Sequence, residues 1–80
     1  MAQRKQVLLG DIRKVLDEKD VTFDEFRRGR RKAAQQARQH VCGLVWLVMN
    51  PWMSEVDMAR WLDIKRTTFR YHRVAYFKEN

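Results

Sequence analysis

One cysteine, one proline and three glycines are spread over 80 residues, and each scarcity excludes something. The lone Cys42 cannot close an internal disulfide, so nothing points to the small secreted class that depends on such bridges. With so few breakers the chain leans towards helix. Long hydrophobic runs are also missing. Val41 to Met49 is nine residues, whereas a membrane-spanning helix needs about 20. Met1–Lys5 leads only into Val7-Leu8-Leu9 before charges return, so no signal peptide is expected. A soluble protein of the cytoplasm, with no membrane partner, is the expectation.

Acidic residues are in deficit as well. Ten Asp and Glu face 17 Lys and Arg, a net charge of +7. An excess of that size on a small surface implies an anionic partner: nucleic acid, a membrane surface or an acidic protein. Three Trp, four Phe and two Tyr, within a 45% hydrophobic composition, supply a core and exclude disorder. At this length the chain is one domain spanning residues 1–80, with a single modest core.

Periodicity predicts an all-α bundle of about five helices. Leu8, Ile12, Val15 and Leu16 mark one face of a helix over 3–19, in which Gly10 costs about 1 kcal/mol. Thr22 opens a short second helix, with Glu25 as the return arm of a capping box and Val21 stapled onto Phe26. Arg27-Arg28-Gly29-Arg30-Arg31-Lys32 then reads as a basic loop. A third helix, from Ala33 to about Met49, carries Ala34, Ala37, Val41, Leu44, Val45 and Val48 on one broad face, and Asn50-Pro51 ends it. Ser54 caps a helix over 55–62 bearing Val56, Met58, Ala59 and Leu62, with Met53 facing Met58. A final helix runs from about Lys65 to Phe77. There are no repeats and no strand-like alternation.

The last two helices, joined by about three residues, match a C-terminal helix-turn-helix, in which the front of the second helix enters the major groove of DNA. Ala59 allows a close crossing, and Ile64 and Phe69 hold the second helix on the first. Lys65, Arg66, Thr67 and Thr68 are the candidate major-groove residues. Lys and Arg donate to guanine N7 and O6, and Thr offers a hydroxyl and a methyl. Arg70, Tyr71 and Arg73 lie further along, where phosphates are the natural partners. The loop at 27–32, with five cations and no acid, suits an arginine entering a narrow minor groove. Arg30 or a neighbour fills that role, while Arg27, Arg28 and Arg31 meet phosphates.

In this order of parts the chain resembles the C-terminal DNA-binding domain (domain IV) of the bacterial replication initiator DnaA, in the TrpR/DnaA-like class of helix-turn-helix proteins. The resemblance covers roughly Val7 to Phe77. It rests on a leading helix, a short capped helix, a basic loop, the Arg38-Gln39 pair in the central helix and the Thr67-Thr68 pair. It implies that Arg30 reads the minor groove with Lys32 as a second basic position. It also implies that Arg38 and Gln39 bind phosphate and that Lys65, Arg66, Thr67 and Thr68 face the bases. The family's Gly-Gly-Arg-Asp-His before the Thr pair is replaced by Leu62-Asp63-Ile64-Lys65-Arg66, so the initiator's own box should not be recognised unchanged. Glu55-Val56 sits one residue further from the Thr pair than the family's Glu-Ile, and Tyr71 stands where the family has His. Leu62-Asp63-Ile64 is equally similar to the Leu-Gly-Ile turn of ordinary helix-turn-helix regulators. No Walker A motif occurs, so a nucleoid-associated DNA-binding module is expected, serving transcription regulation or replication-origin control, in a phage or mobile-element setting among others.

Other residues carry plainer readings. One Cys and two His, Cys42, His40 and His72, fall short of a metal site, and His72 is expected to pack on the helix-turn-helix core with one nitrogen bonded. A single Ser in a capping position and no carboxylate pair in an apolar setting give no basis for catalysis; neither an enzyme nor a cofactor is expected. Trp46, Trp52, Trp61 and Phe77 read as core rather than as base-stacking platforms. Asp11, Asp17, Glu18, Asp20, Asp24 and Glu25 form an acidic side, solvated or available to a protein partner or a larger polypeptide. The alternative function is a protein-interaction or membrane-surface module that sets its cations against acidic partners.

Overall fold

A computed structural model describes the backbone of residues 2–79 and the side chains of 5–78. It contains α1 (Ala2–Glu18), α2 (Phe23–Arg28), α3 (Lys32–Met49), α4 (Glu55–Leu62) and α5 (Arg66–Glu79), and no strand among the described residues. This is the all-α, five-helix architecture that the periodicity predicts. The central α3 touches each of the other four helices, and α5 most extensively.

Local chemistry sets most of the boundaries. Thr22 Oγ1 accepts from the Glu25 amide and Ser54 Oγ from the Asp57 amide, both at 3.1 Å, so α2 and α4 begin on capped turns. The Glu25 carboxylate does not return to close a capping box. It bonds to Arg31 Nε at 2.7 Å instead, because a guanidinium is the stronger partner. The ends of α1 and α4 follow one pattern, an aspartate in the left-handed region. Asp20 has φ 54° and Asp63 φ 59°, and the following amides, Val21 and Ile64, reach back to the Leu16 and Ala59 carbonyls at 2.9 and 3.0 Å. Such a closure turns the next apolar residue back onto the core: Val21 is buried and Ile64 packs against the buried cluster.

The basic loop is shorter than the sequence predicts. Arg27 and Arg28 form the last turn of α2, Lys32 begins α3, and the connection is only 29–31. Cations at a helix C-terminus complement its dipole, and the Gly29 amide closes on the Glu25 carbonyl at 2.6 Å. Gly29 thus ends the helix. A Cβ at Gly29 would lie 2.6 Å from that same carbonyl oxygen, so glycine is required there by proximity.

Leu8, Ile12 and Leu16 of α1, Phe26 of α2, Val41, Val45 and Met49 of α3, Met58 and Leu62 of α4 and Phe69 of α5 are buried together. Three expected core residues are not. Trp52, 59% exposed, lies in the α3–α4 connection, where helical spacing has no meaning. Val56 and Phe77 are exposed as well, Phe77 because its neighbour Tyr76 takes the inward position. Tyr76 lies so close over Gly43 that any Cβ there would enter the ring; this is the point at which α5 crosses α3. Trp46 and Trp61 pack on the core, half-buried.

Candidate nucleic-acid interface

Acids occupy the first turn of α2 and α4 only; α1, α3 and α5 have none there. In α2 and α4 the first turn is acidic (Asp24 and Glu25; Glu55 and Asp57) behind a Thr or Ser cap. Carboxylates there complement the positive helix pole. In α3 and α5 the first turn holds no acid. The N-cap of α3 is Arg31, which makes no capping bond with its side chain, and Lys65 precedes Arg66 at the front of α5. Cations at a positive pole are locally unfavourable; Glu25 offsets Arg31 and Glu55 offsets Arg66 within the chain, and Lys32 and Lys65 remain exposed beside them. The starts of α3 and α5 carry the two basic clusters.

Tertiary contacts bring the clusters to one side. Arg27, at the end of α2, pairs with Asp63 in the α4–α5 turn at 3.8 Å. Further along, Lys32, Gln35, Gln36 and Gln39 of α3 form one wall of a groove, and Tyr71, His72 and Ala75 of α5 the other. Lys65, Arg66 and Thr67 are exposed at the front of α5, whereas Thr68 is half-buried on its flank. Arg28, Arg30, Arg31 and Lys32 are exposed. The Arg30 carbonyl accepts from Gln35 Nε2 at 3.1 Å, which ties the loop to α3. Arg31 is engaged by Glu25 and by the Asp20 carbonyl.

Comparison of the chain with models of known protein families, with curated proteins and with solved structures finds no match.

Two of the expected phosphate contacts are internal. Arg38 is 8% exposed. Its Nη1 donates to the Phe26 carbonyl at 2.9 Å and the Glu25 carbonyl at 3.4 Å, and its Nε donates to His72 Nε2 at 3.4 Å. It therefore clamps the C-terminus of α2 onto α3 and α5, where carbonyl oxygens left without partners would be costly. Arg73 lies with its guanidinium carbon 3.9 Å from the centroid of the Trp46 ring and donates to Glu55 Oε2 at 2.9 Å. Both arginines hold the scaffold. Gln39 remains at the groove wall.

Glu55 organises the front of α5. Its Oε1 accepts from Arg66 Nε at 3.2 Å and Arg70 Nε at 3.0 Å, beside the Arg73 bond to Oε2. Burial pushes its carboxyl upward, but the hydrogen bonds from Arg66 and Arg73 and the charges of Arg70 and Arg73 outweigh burial and hold it below the usual carboxylate range. One carboxylate against three guanidiniums leaves this patch cationic and holds Arg66 and Arg70 in fixed positions. Burial, followed by the charge of Arg38, keeps His72 below its ordinary value, so it presents a neutral acceptor to Arg38. Cys42 is buried and its thiol is pushed up to about 12, by burial against a smaller opposing effect of Arg38; it is unreactive. Among the described residues no group of three His, Cys, Asp or Glu is placed to hold a metal ion. No helix of the described residues is long and apolar enough to cross a membrane. Asp11, Asp17, Glu18, Asp20 and Asp24 are exposed, while Glu25 belongs to the basic loop through Arg31.

Sequence reasoning missed Gln35, Gln36 and Val74 as surface residues of this region. Gln35 and Gln36 carry no charge signal. Val74 is apolar, and only the placement of Phe69 on the inner face shows that Val74 is outside.

Proposed function

We propose that the chain binds double-stranded DNA sequence-specifically, with α4 and α5 as a helix-turn-helix unit and the α2–α3 loop over the neighbouring minor groove. The observation that carries this reading is that α3 and α5 both start on cations with no acid in the first turn, linked by the Arg27–Asp63 pair and by the groove that the two helices share. Two such poles suit closely spaced phosphates better than a single acidic group. Lys65, Arg66, Thr67 and Thr68 then face bases, Arg30 and Lys32 the minor groove, and Arg28, Arg31, Gln39, Arg70 and Tyr71 the backbone. The resemblance to DnaA domain IV supports the same arrangement. Its setting is transcription regulation or replication-origin control.

Selection of preferred duplexes from a random library at two salt concentrations tests the reading. A consensus should emerge, and log K should fall with log salt by about 0.9 per phosphate neutralised. Arg30→Ala and Arg66→Ala should each weaken binding by about 1–3 kcal/mol, and Arg66→Ala should also relax base preference. Binding indifferent to sequence removes the readout. Capture by anionic vesicles or an acidic protein, without preference for duplex DNA, favours the surface-module alternative instead.

A further inference from the structure

We infer that the outer ridge of α5 recognises thymine through its C5-methyl group, with Tyr71 and Val74 as the contacting residues; the inference rests on the DNA-binding reading. Thr67, Tyr71, Val74 and Lys78 follow at spacings of four, three and four, which places them on one stripe of the helix. Phe69 on the opposite face is fully buried, whereas Tyr71 is 71% and Val74 49% exposed. A solvent-facing stripe is ordinarily polar. Here a phenol ring and a branched aliphatic side chain project side by side, and with Arg70, Ala75 and Lys78 they line a shallow depression.

The surroundings choose the occupant. Arg70 and Lys78 flank the apolar pair, and Lys65 and Arg66 stand at the front of the same helix. A second copy of the chain, docked ridge to ridge, would bring these cations against one another. Two large side chains are also well short of the roughly 800 Å² per partner that a stable protein interface buries. The major groove has the complementary layout, with phosphates along its walls for the cations. On its floor the thymine methyl is the one apolar group that a base edge presents. Tyr71 thereby moves from the backbone contacts to the readers, and Val74 joins it.

Replacing thymine by deoxyuridine removes that methyl and leaves base pairing intact. On the duplex selected by the full chain, uracil at one or two positions should weaken binding about fourfold each, as expected for one buried methyl group. Val74→Ala and Tyr71→Ser, whose exposed positions spare the fold, should bind the thymine and uracil duplexes with nearly equal affinity. Tyr71→Phe should keep the discrimination. Duplex binding that ignores uracil at every position overturns this inference and leaves the DNA-binding reading standing. So does an equal loss for both duplexes in Val74→Ala, or a dimer in sedimentation that Val74→Asp dissolves. Absence of any duplex binding overturns both.

Discussion

Arg38 and Gln39 are adjacent in sequence and meet different fates. Successive helical positions are about 100° apart, so Arg38 turns inward to the carbonyls of α2 while Gln39 stays at the groove. Once buried, a guanidinium must satisfy its donors, and the Phe26 and Glu25 carbonyls and His72 do so. Arg38→Met removes those donors and orphans the carbonyls. It should lower unfolding free energy by about 2–4 kcal/mol in a urea titration. Under conditions where this variant is folded, the slope of DNA affinity against salt should match that of the wild type. A slope reduced by about one phosphate would mean that Arg38 reaches the backbone after all.

Two glycines in helices show how an element's neighbours decide the sign of one substitution. Gly10 sits on the exposed side of α1, and a Cβ added there would meet nothing within 4 Å. Gly10→Ala should therefore stabilise by up to about 1 kcal/mol, through helix propensity alone. Gly43 has Tyr76 pressed against it. Gly43→Ala should destabilise by about 1–3 kcal/mol despite the same propensity gain, because the ring must move. Thermal unfolding of the two variants should give Tm shifts of opposite sign, and adding Tyr76→Leu to Gly43→Ala should recover part of the loss. Nothing in the local sequence separates these glycines, since both interrupt apolar helical patterns.

Across the whole molecule, Glu55 and His72 link stability to pH in the same direction. Both are held below their ordinary values of 4.5 and 6.5, so in each case the unfolded chain takes up a proton first as pH falls. The contribution of His72 is complete above about 6.5 and declines below it; that of Glu55 is complete above about 4.5 and declines below it. The midpoint of urea unfolding should therefore drop in two stages between pH 7 and pH 3. His72→Gln should flatten the upper stage. Glu55→Gln should lower stability at neutral pH and flatten the lower one, because it frees Arg66, Arg70 and Arg73 from their shared anchor. A midpoint that rises on acidification would contradict both assignments.

Apolar spacing, the Thr22 and Ser54 caps, and Asn50-Pro51 determined the helices and most of their ends, because those signals act within a few residues along the chain. The cation runs at 27–32 and 65–66 were equally plain, charge being a property of the residue alone. Only tertiary structure decided which arginines face outward, that Trp52 and Phe77 lie outside the core, that Gly43 is a crossing point, and that Glu55 gathers three guanidiniums from α5. Those outcomes depend on which face each helix turns towards its neighbours, and that is set by contacts between residues far apart in the chain.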